Sequence, residues 1–193
     1  MKLYCATKNR GKLREFQNVA GDIEIAILPG LDTLPTPEED GDTFEANARL
    51  KAEYYSREAD CPVFADDSGL VVDALGGEPG VYSARYAGEG AGDAANNRLL
   101  LERLNGIADR RARFQCVIAL ADRGRVIGTF SGAVEGEILN EARGTNGFGY
   151  DPLFYYAPLG CTMAEIETER KFDISHRGEA LRKMFAYLRG GAK

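Results

Sequence analysis

The sequence predicts an α/β protein built on a mixed sheet. Two observations carry that prediction. Short apolar runs suited to buried strands alternate with helical patterns through the first half of the chain. A long hairpin pattern around Arg123-Gly124 then breaks the alternation, so the sheet cannot be purely parallel.

Taken in order, residues 2–7 read as a strand. Residues 10–20 read as a helix, with Leu13, Phe16 and Ala20 at helical spacing and Asn9 as N-cap. Residues 23–28 are a second strand, and Pro29, Pro35 and Pro37 mark an extended loop running to Asp42. A helix follows over 43–57, where Asp42 and Glu45 have capping-box spacing. Residues 62–65 are a strand, and 70–72 a further candidate. Residues 76–92 are rich in Gly and irregular. Asp93 is expected to cap a helix with Leu100 and Leu104 on its core face. Residues 111–121 and 125–135 form the hairpin, 152–156 a short strand, and 175–189 the last helix. Leu181, Met184, Phe185 and Leu188 make that helix's core stripe, and Gly190 ends it.

With 193 residues, 44% of them hydrophobic, the chain is expected to form a single domain, residues 1–193. Its net charge of −6 argues against a general nucleic-acid binder, while leaving room for a small anion in a local basic pocket. The four cysteines are far apart and contain no C-x-x-C pair, which speaks against a zinc site and for buried free thiols. No apolar run approaches a membrane span, and the Met1-Lys2-Leu3-Tyr4 start has no signal-peptide pattern. A soluble cytoplasmic protein with no membrane partner is the expectation.

The densest chemistry lies in Pro62-Val63-Phe64-Ala65-Asp66-Asp67-Ser68-Gly69. An apolar strand that delivers two carboxylates needs something to offset their repulsion, and a divalent cation with oxygen ligands does so. The same four residues, Asp-Asp-Ser-Gly, are also ordinary turn chemistry. Ala6-Thr7-Lys8-Asn9-Arg10-Gly11-Lys12 approaches a relaxed P-loop pattern but lacks the hydroxyl after the lysine, since Leu13 stands there. A strand running into a helix N-terminus with three cations nearby still suits an anion. Thr43, Asn47 and Lys51 fall at i, i+4 and i+8 as a polar stripe beside the apolar Phe44, Ala48 and Tyr55. Phe148-Gly149-Tyr150-Asp151-Pro152 sets an aromatic ring near an acid held extended by Pro152, a pairing that suits a base pocket as well as a core turn. His176, the only histidine, pairs with Arg177 at a helix start, and Lys171 lies five residues upstream. A lone histidine and no G-x-S-x-G speak against a Ser-His-Asp hydrolase.

These segments, with Glu39-Asp40-Gly41-Asp42-Thr43-Phe44-Glu45-Ala46-Asn47-Ala48, Gly76-Gly77-Glu78-Pro79-Gly80-Val81-Tyr82-Ser83-Ala84-Arg85-Tyr86 and Ser175-His176-Arg177-Gly178, occur in one order along nearly the whole chain. In that order the chain resembles the inosine triphosphate pyrophosphatase family. The resemblance implies an elongated α/β fold, a long mixed sheet with flanking helices and two lobes around a central cleft. It also implies a homodimer, Mg²⁺, and hydrolysis of noncanonical purine nucleoside triphosphates (ITP, dITP, XTP) to the monophosphate and pyrophosphate. By position, Thr7, Lys8, Asn9, Arg10, Gly11 and Lys12 would hold the phosphates, and Lys51 and Lys171 would pair with them. Asp67 would be the metal-linked general base, with Asp66 in support, and Ser68 would contact substrate. Phe148, Gly149, Tyr150, Asp151, His176 and Arg177 would form the base pocket. The second metal ligand is Glu39 or Glu38, with Glu39 favoured by its distance to Gly41. Lys8 stands where the family commonly has a small residue such as Gly. Two rival readings are a pyrophosphatase for pyrimidine or modified nucleotides and a non-catalytic nucleotide-binding protein.

Overall fold

The computed structural model describes residues 1–17 and 23–190. Five helices and seven strands carry the fold among those residues. They are β1 (Lys2–Cys5), α1 (Arg10–Gln17), β2 (Glu24–Ile27), α2 (Phe44–Ser56), β3 (Val63–Val72), α3 (Asp93–Arg103), β4 (Arg111–Asp122), β5 (Arg125–Ile138), β6 (Phe154–Tyr156), β7 (Cys161–Thr162), α4 (Thr168–Ile174) and α5 (His176–Gly190). Short 3₁₀ turns follow β3 and β6. The strands join in one mixed sheet of order β2-β1-β3-β4-β5-β6-β7, as the alternation and the hairpin together predict. β1 pairs parallel with β2 and β3, whereas β6 pairs antiparallel with β5 and β7. No described helix is long and apolar enough to cross a membrane.

The chain divides into two compact units. The first comprises Met1–Asp67, Cys116–Gly132 and the segment from His176 onward; the second comprises Ser68–Gln115 and Ala133–Ser175. In the first unit, Phe16 of α1 packs edge-on against Phe64 of β3 with ring centroids 5.3 Å apart. Both rings are fully buried, and burying such a side chain contributes about 1.5–3 kcal/mol. The second unit's core is built around Leu70, Leu100, Leu104, Phe114, Leu153 and Phe154. The expected core stripe of the last helix holds at Leu181, Met184 and Phe185. Residues 18–20, the end of the expected first helix, lie outside the described residues.

The main departure from expectation is at Asp66-Asp67-Ser68-Gly69. These residues make neither a turn nor a strand tip; β3 runs unbroken through them from Val63 to Val72. Gly69 explains why the pattern misleads. A Cβ there would press on Ser83 Oγ and lie 2.5 Å from the Gly80 carbonyl oxygen. The glycine admits a 3₁₀ segment to the strand rather than bending the chain. The segment is fastened there by Ser83, whose Oγ accepts from Leu70 N–H at 2.9 Å and donates to Gly80 O at 2.6 Å.

Smaller corrections concern caps. Thr43, not Asp42, caps α2: its Oγ1 accepts from Ala46 N–H at 3.1 Å. Asp93 lies inside α3, after the N-cap Gly92, and makes no cap bond. β7 and α4 have no counterpart in the sequence reading, since two- and seven-residue elements are too short to show a period.

Gly132 of β5 serves the start of α5. A Cβ at this position would collide with the His176 carbonyl oxygen and lie 2.8 Å from Ala180 N. Gly132→Ala is expected to destabilise the protein by about 1–3 kcal/mol, the usual cost of overpacking. Urea unfolding measures it, and an unchanged midpoint would show that the α5 start is not held by this contact.

Candidate active site

The first unit carries the acidic centre. β1 ends at Cys5, whose partner on β3 is Phe64, so Asp66 and Asp67 stand on β3 just beyond the carboxyl end of β1. The carboxyl ends of parallel strands are where α/β sheets ordinarily take ligands. Successive strand residues point to opposite faces, and the two carboxylates accordingly meet different helices. Asp66 Oδ2 lies 2.7 Å from Lys12 Nζ of α1. Asp67 Oδ2 accepts from Asn47 Nδ2 of α2 at 3.2 Å, and its Oδ1 lies 3.5 Å from Lys51 Nζ of the same helix. The polar stripe of α2 is therefore a buried edge: Asn47 is 1% exposed. Its first member, Thr43, is spent on capping the helix instead.

Lys51 Nζ also lies 2.7 Å from Glu39 Oε2, so one ammonium is shared by Glu39 and Asp67. Glu38 is exposed, whereas Glu39 is half-buried. Asn47 Oδ1 accepts from Gly41 N–H at 2.9 Å and ties the acidic loop to the same amide that holds Asp67. Among the described residues, no three His, Cys, Asp or Glu side chains gather as a ready-made metal cage. Glu39 and Asp67 nevertheless bring two hard oxygen donors to the one Lys51 ammonium, a donor set that fits a hard divalent cation.

The two neighbouring carboxyls titrate in opposite directions. Burial pushes Asp66 up, but Lys12, Arg177 and Lys51 outweigh it and hold the group below its ordinary 3.8. Burial also pushes Asp67 up, and here Lys51, Lys12 and the Asn47 hydrogen bond offset it only partly, leaving it above 3.8. Burial would lower Lys51, yet the carboxylates of Asp67, Asp66 and Glu39 raise it above 10.5.

The phosphate-loop candidates divide. Thr7 is buried, and its Oγ1 accepts from Asn9 N–H at 3.2 Å. Asn9 caps α1 as expected, its Oδ1 accepting from Lys12 N–H at 3.2 Å. Arg10 and Gly11 open α1. Lys8 is exposed and donates to Thr36 Oγ1 at 3.2 Å. His176 and Arg177 are buried in the first turn of α5, where Arg177 is one of the cations acting on Asp66.

Ser68 and the residues from Phe148 to Asp151 belong to the second unit, with Lys171. Lys171 is 5% exposed and forms a short ion pair with Asp151. Asp151 Oδ2 also accepts from Phe148 N–H at 2.9 Å, and Lys171 Nζ stands 5.5 Å from the Phe148 ring centroid. Ring, acid and lysine thus form one cluster. Tyr150 OH donates to Ser83 O at 2.8 Å.

A model of the Ham1 family matches residues 3–187. The chain belongs to the Ham1 family. Among Ham1 relatives, the dITP/XTP pyrophosphatase of Acidobacterium capsulatum is 50% identical, the match covering 98% of this chain and 99% of that protein. That of Bacillus licheniformis is 52% identical over 95% of each. The Ham1 protein of Staphylococcus aureus superposes with a TM-score of 0.89 at 44% identity, covering 99% of this chain and 100% of the other. The Ham1 protein of Coxiella burnetii gives 0.90 at 41% identity, covering 98% and 99%.

Sequence reasoning gave Asp93 only a capping role and did not single out Asn97; both residues of α3 bond to the Gly149 backbone of this Ham1 chain. Their partner lies more than fifty residues away, so no local pattern announces them.

Two outcomes follow for the carboxylates. In metal-free protein, carboxyl-carbon NMR should show Asp66 titrating below 3.8 and Asp67 above it, and Lys51→Met should move Asp67 higher still; the reverse order would refute the opposed environments. A depressed acid adds stability above its unfolded pKa and loses it as pH falls through the folded one. A raised acid has the opposite sign, with a cost that appears as pH rises through the folded pKa and persists at neutrality. Asp67→Asn should therefore be at least as stable as the parent at pH 7 in thermal unfolding. A marked loss of stability would contradict that sign.

Proposed function

We propose that the protein hydrolyses noncanonical purine nucleoside triphosphates (dITP, ITP and XTP) to the monophosphate and pyrophosphate, with Mg²⁺ and with residues 1–193 acting as one catalytic domain. The observation that most supports this reading is the Asp67 carboxylate. It is buried, oriented by Asn47, and shares the Lys51 ammonium with Glu39. Relatives at half identity over nearly the whole chain bear the matching name.

Cleaving a triphosphate is mainly a matter of positioning and neutralising charge. Glu39 and Asp67 would hold Mg²⁺, which when bound neutralises phosphate oxygens and polarises phosphorus. Asp67, oriented by the Asn47 amide, accepts the proton of the attacking water. The water oxygen bonds to the α-phosphorus, the bond to the β-phosphate bridge breaks, and pyrophosphate leaves. Lys12 and Lys51, already on the carboxylates, turn to the phosphates as these arrive, with Thr7, Lys8, Asn9, Arg10 and Gly11 beside them. Asp66 keeps Lys12 in place between turnovers.

On the base side, Phe148 supplies a stacking face, and Gly149, Tyr150, Asp151 and Ser68 complete the contacts. Lys171 is assigned here to the base cluster through Asp151 rather than to a phosphate, because its ammonium is buried on that acid. His176 and Arg177 donate to the 6-keto oxygen of hypoxanthine or xanthine. Adenine offers an amino group there, which leaves the donors unsatisfied, a mismatch able to reject an analogue by ~10⁴. The reading includes a homodimer working in the cytoplasm; sedimentation at twice the 21.0 kDa chain mass would support the dimer, and a monomer would remove it.

The test is pyrophosphate release from dITP, ITP, XTP, dUTP, dTTP, ATP and GTP. Activity should be confined to the first three. Excess chelator should abolish it, and Asp67→Asn should lower turnover by ~10²–10⁴-fold. Preference for dUTP or dTTP, binding of ITP without turnover, or full activity in chelator would each overturn the corresponding part of the reading.

A further inference from the structure

The geometry points to Asp93 and Asn97 of α3 as positioning residues for base recognition: together they clamp both backbone groups of Gly149 and so set the Phe148 ring. This rests on the proposed function, which gives residues 148–151 the base.

Asp93 Oδ2 accepts from Gly149 N–H at 2.7 Å, and Asn97 Nδ2 donates to the Gly149 carbonyl at 2.9 Å. The two side chains stand at i and i+4, on one face of α3. A single residue's donor and acceptor are thereby both taken by one rigid helix. Gly149 has φ +63°, a left-handed conformation that makes it the pivot between Phe148 and Tyr150.

Two contrasts argue that these bonds serve the loop rather than the helix. Asp93 is in the first turn of α3, where a carboxylate ordinarily caps, yet α3 has no side-chain cap bond and the carboxylate reaches Gly149 instead. Asn96, the neighbour of Asn97, is a structural amide with both ends satisfied, accepting from Ala87 N–H and donating to Ala84 O. Asn97 uses only its donor. Its Oδ1 is buried with no hydrogen-bond partner among the described residues, so Gly149 alone fixes the amide.

A ring displaced by as little as 1 Å can cost about 10²-fold in rate. Asp93→Ala and Asn97→Ala are expected to lower kcat/KM for ITP by about 10–100-fold and to narrow the ITP-to-GTP preference. Affinity for inorganic tripolyphosphate, which has no base, and the thermal midpoint should stay near wild type. Asp93→Asn retains an acceptor oxygen and should restore most of the activity. Asn97→Asp is isosteric, keeps the fold if Asn97→Ala does not, and should show the same selective loss. Unaltered ITP kinetics in all four variants would overturn the clamp. So would Asp93→Asn being as impaired as Asp93→Ala, or a parallel fall in tripolyphosphate affinity. Wild-type protein that releases no pyrophosphate from ITP sinks the functional reading instead; active wild type with unaffected variants sinks only the clamp.

Discussion

Two adjacent carboxylates in the middle of a buried strand are the constraint around which the first unit is built. Taking an ion out of water costs several kcal/mol even after relaxation. Like charges on neighbouring residues cannot share one counterion easily, because the pleat sends them to opposite faces. The chain meets both demands through its crossovers. With strand order β2-β1-β3, right-handed connections carry α1 and α2 to opposite faces of the sheet. Each helix then brings a lysine to the carboxylate on its own side, Lys12 to Asp66 and Lys51 to Asp67. The topology is thus what makes the Asp-Asp pair tolerable.

The two sides are not equivalent. Asp66 is neutralised more than burial penalises it, and behaves as a fixture. Asp67 is left short of compensation and held by an amide instead. Perturbation of that kind concentrates where a group must accept a proton. In the second unit the corresponding precision comes from side chains that grip backbone: Ser83 on Leu70 and Asp151 on Phe148.

What could be read from the sequence follows from which signals are local. The β4–β5 hairpin was legible from Arg123-Gly124, and both residues do adopt positive φ. The α2 stripe was legible because i, i+4 spacing survives burial, although whether it met solvent or a site was not. Asp66-Asp67-Ser68-Gly69 was ambiguous because a glycine for close approach and a glycine for a turn are the same letter. The Asp42 and Thr43 caps are one residue apart and chemically alike. The Gly149 contacts were invisible: a bond to a distant peptide group imposes no periodicity and requires no particular residue at its far end.

The shared ammonium of Lys51 has one more consequence. Because a side chain already stands between Glu39 and Asp67, the acidic centre supplies its own internal counterion. On the proposed function, folding and metal loading would be separable events, whereas small zinc domains unfold without their ion. An arriving cation would compete with a tethered charge, most readily when phosphate comes with it to give the lysine somewhere else to go. Lys51 would then serve as a latch that releases to a metal–nucleotide pair in preference to a bare ion.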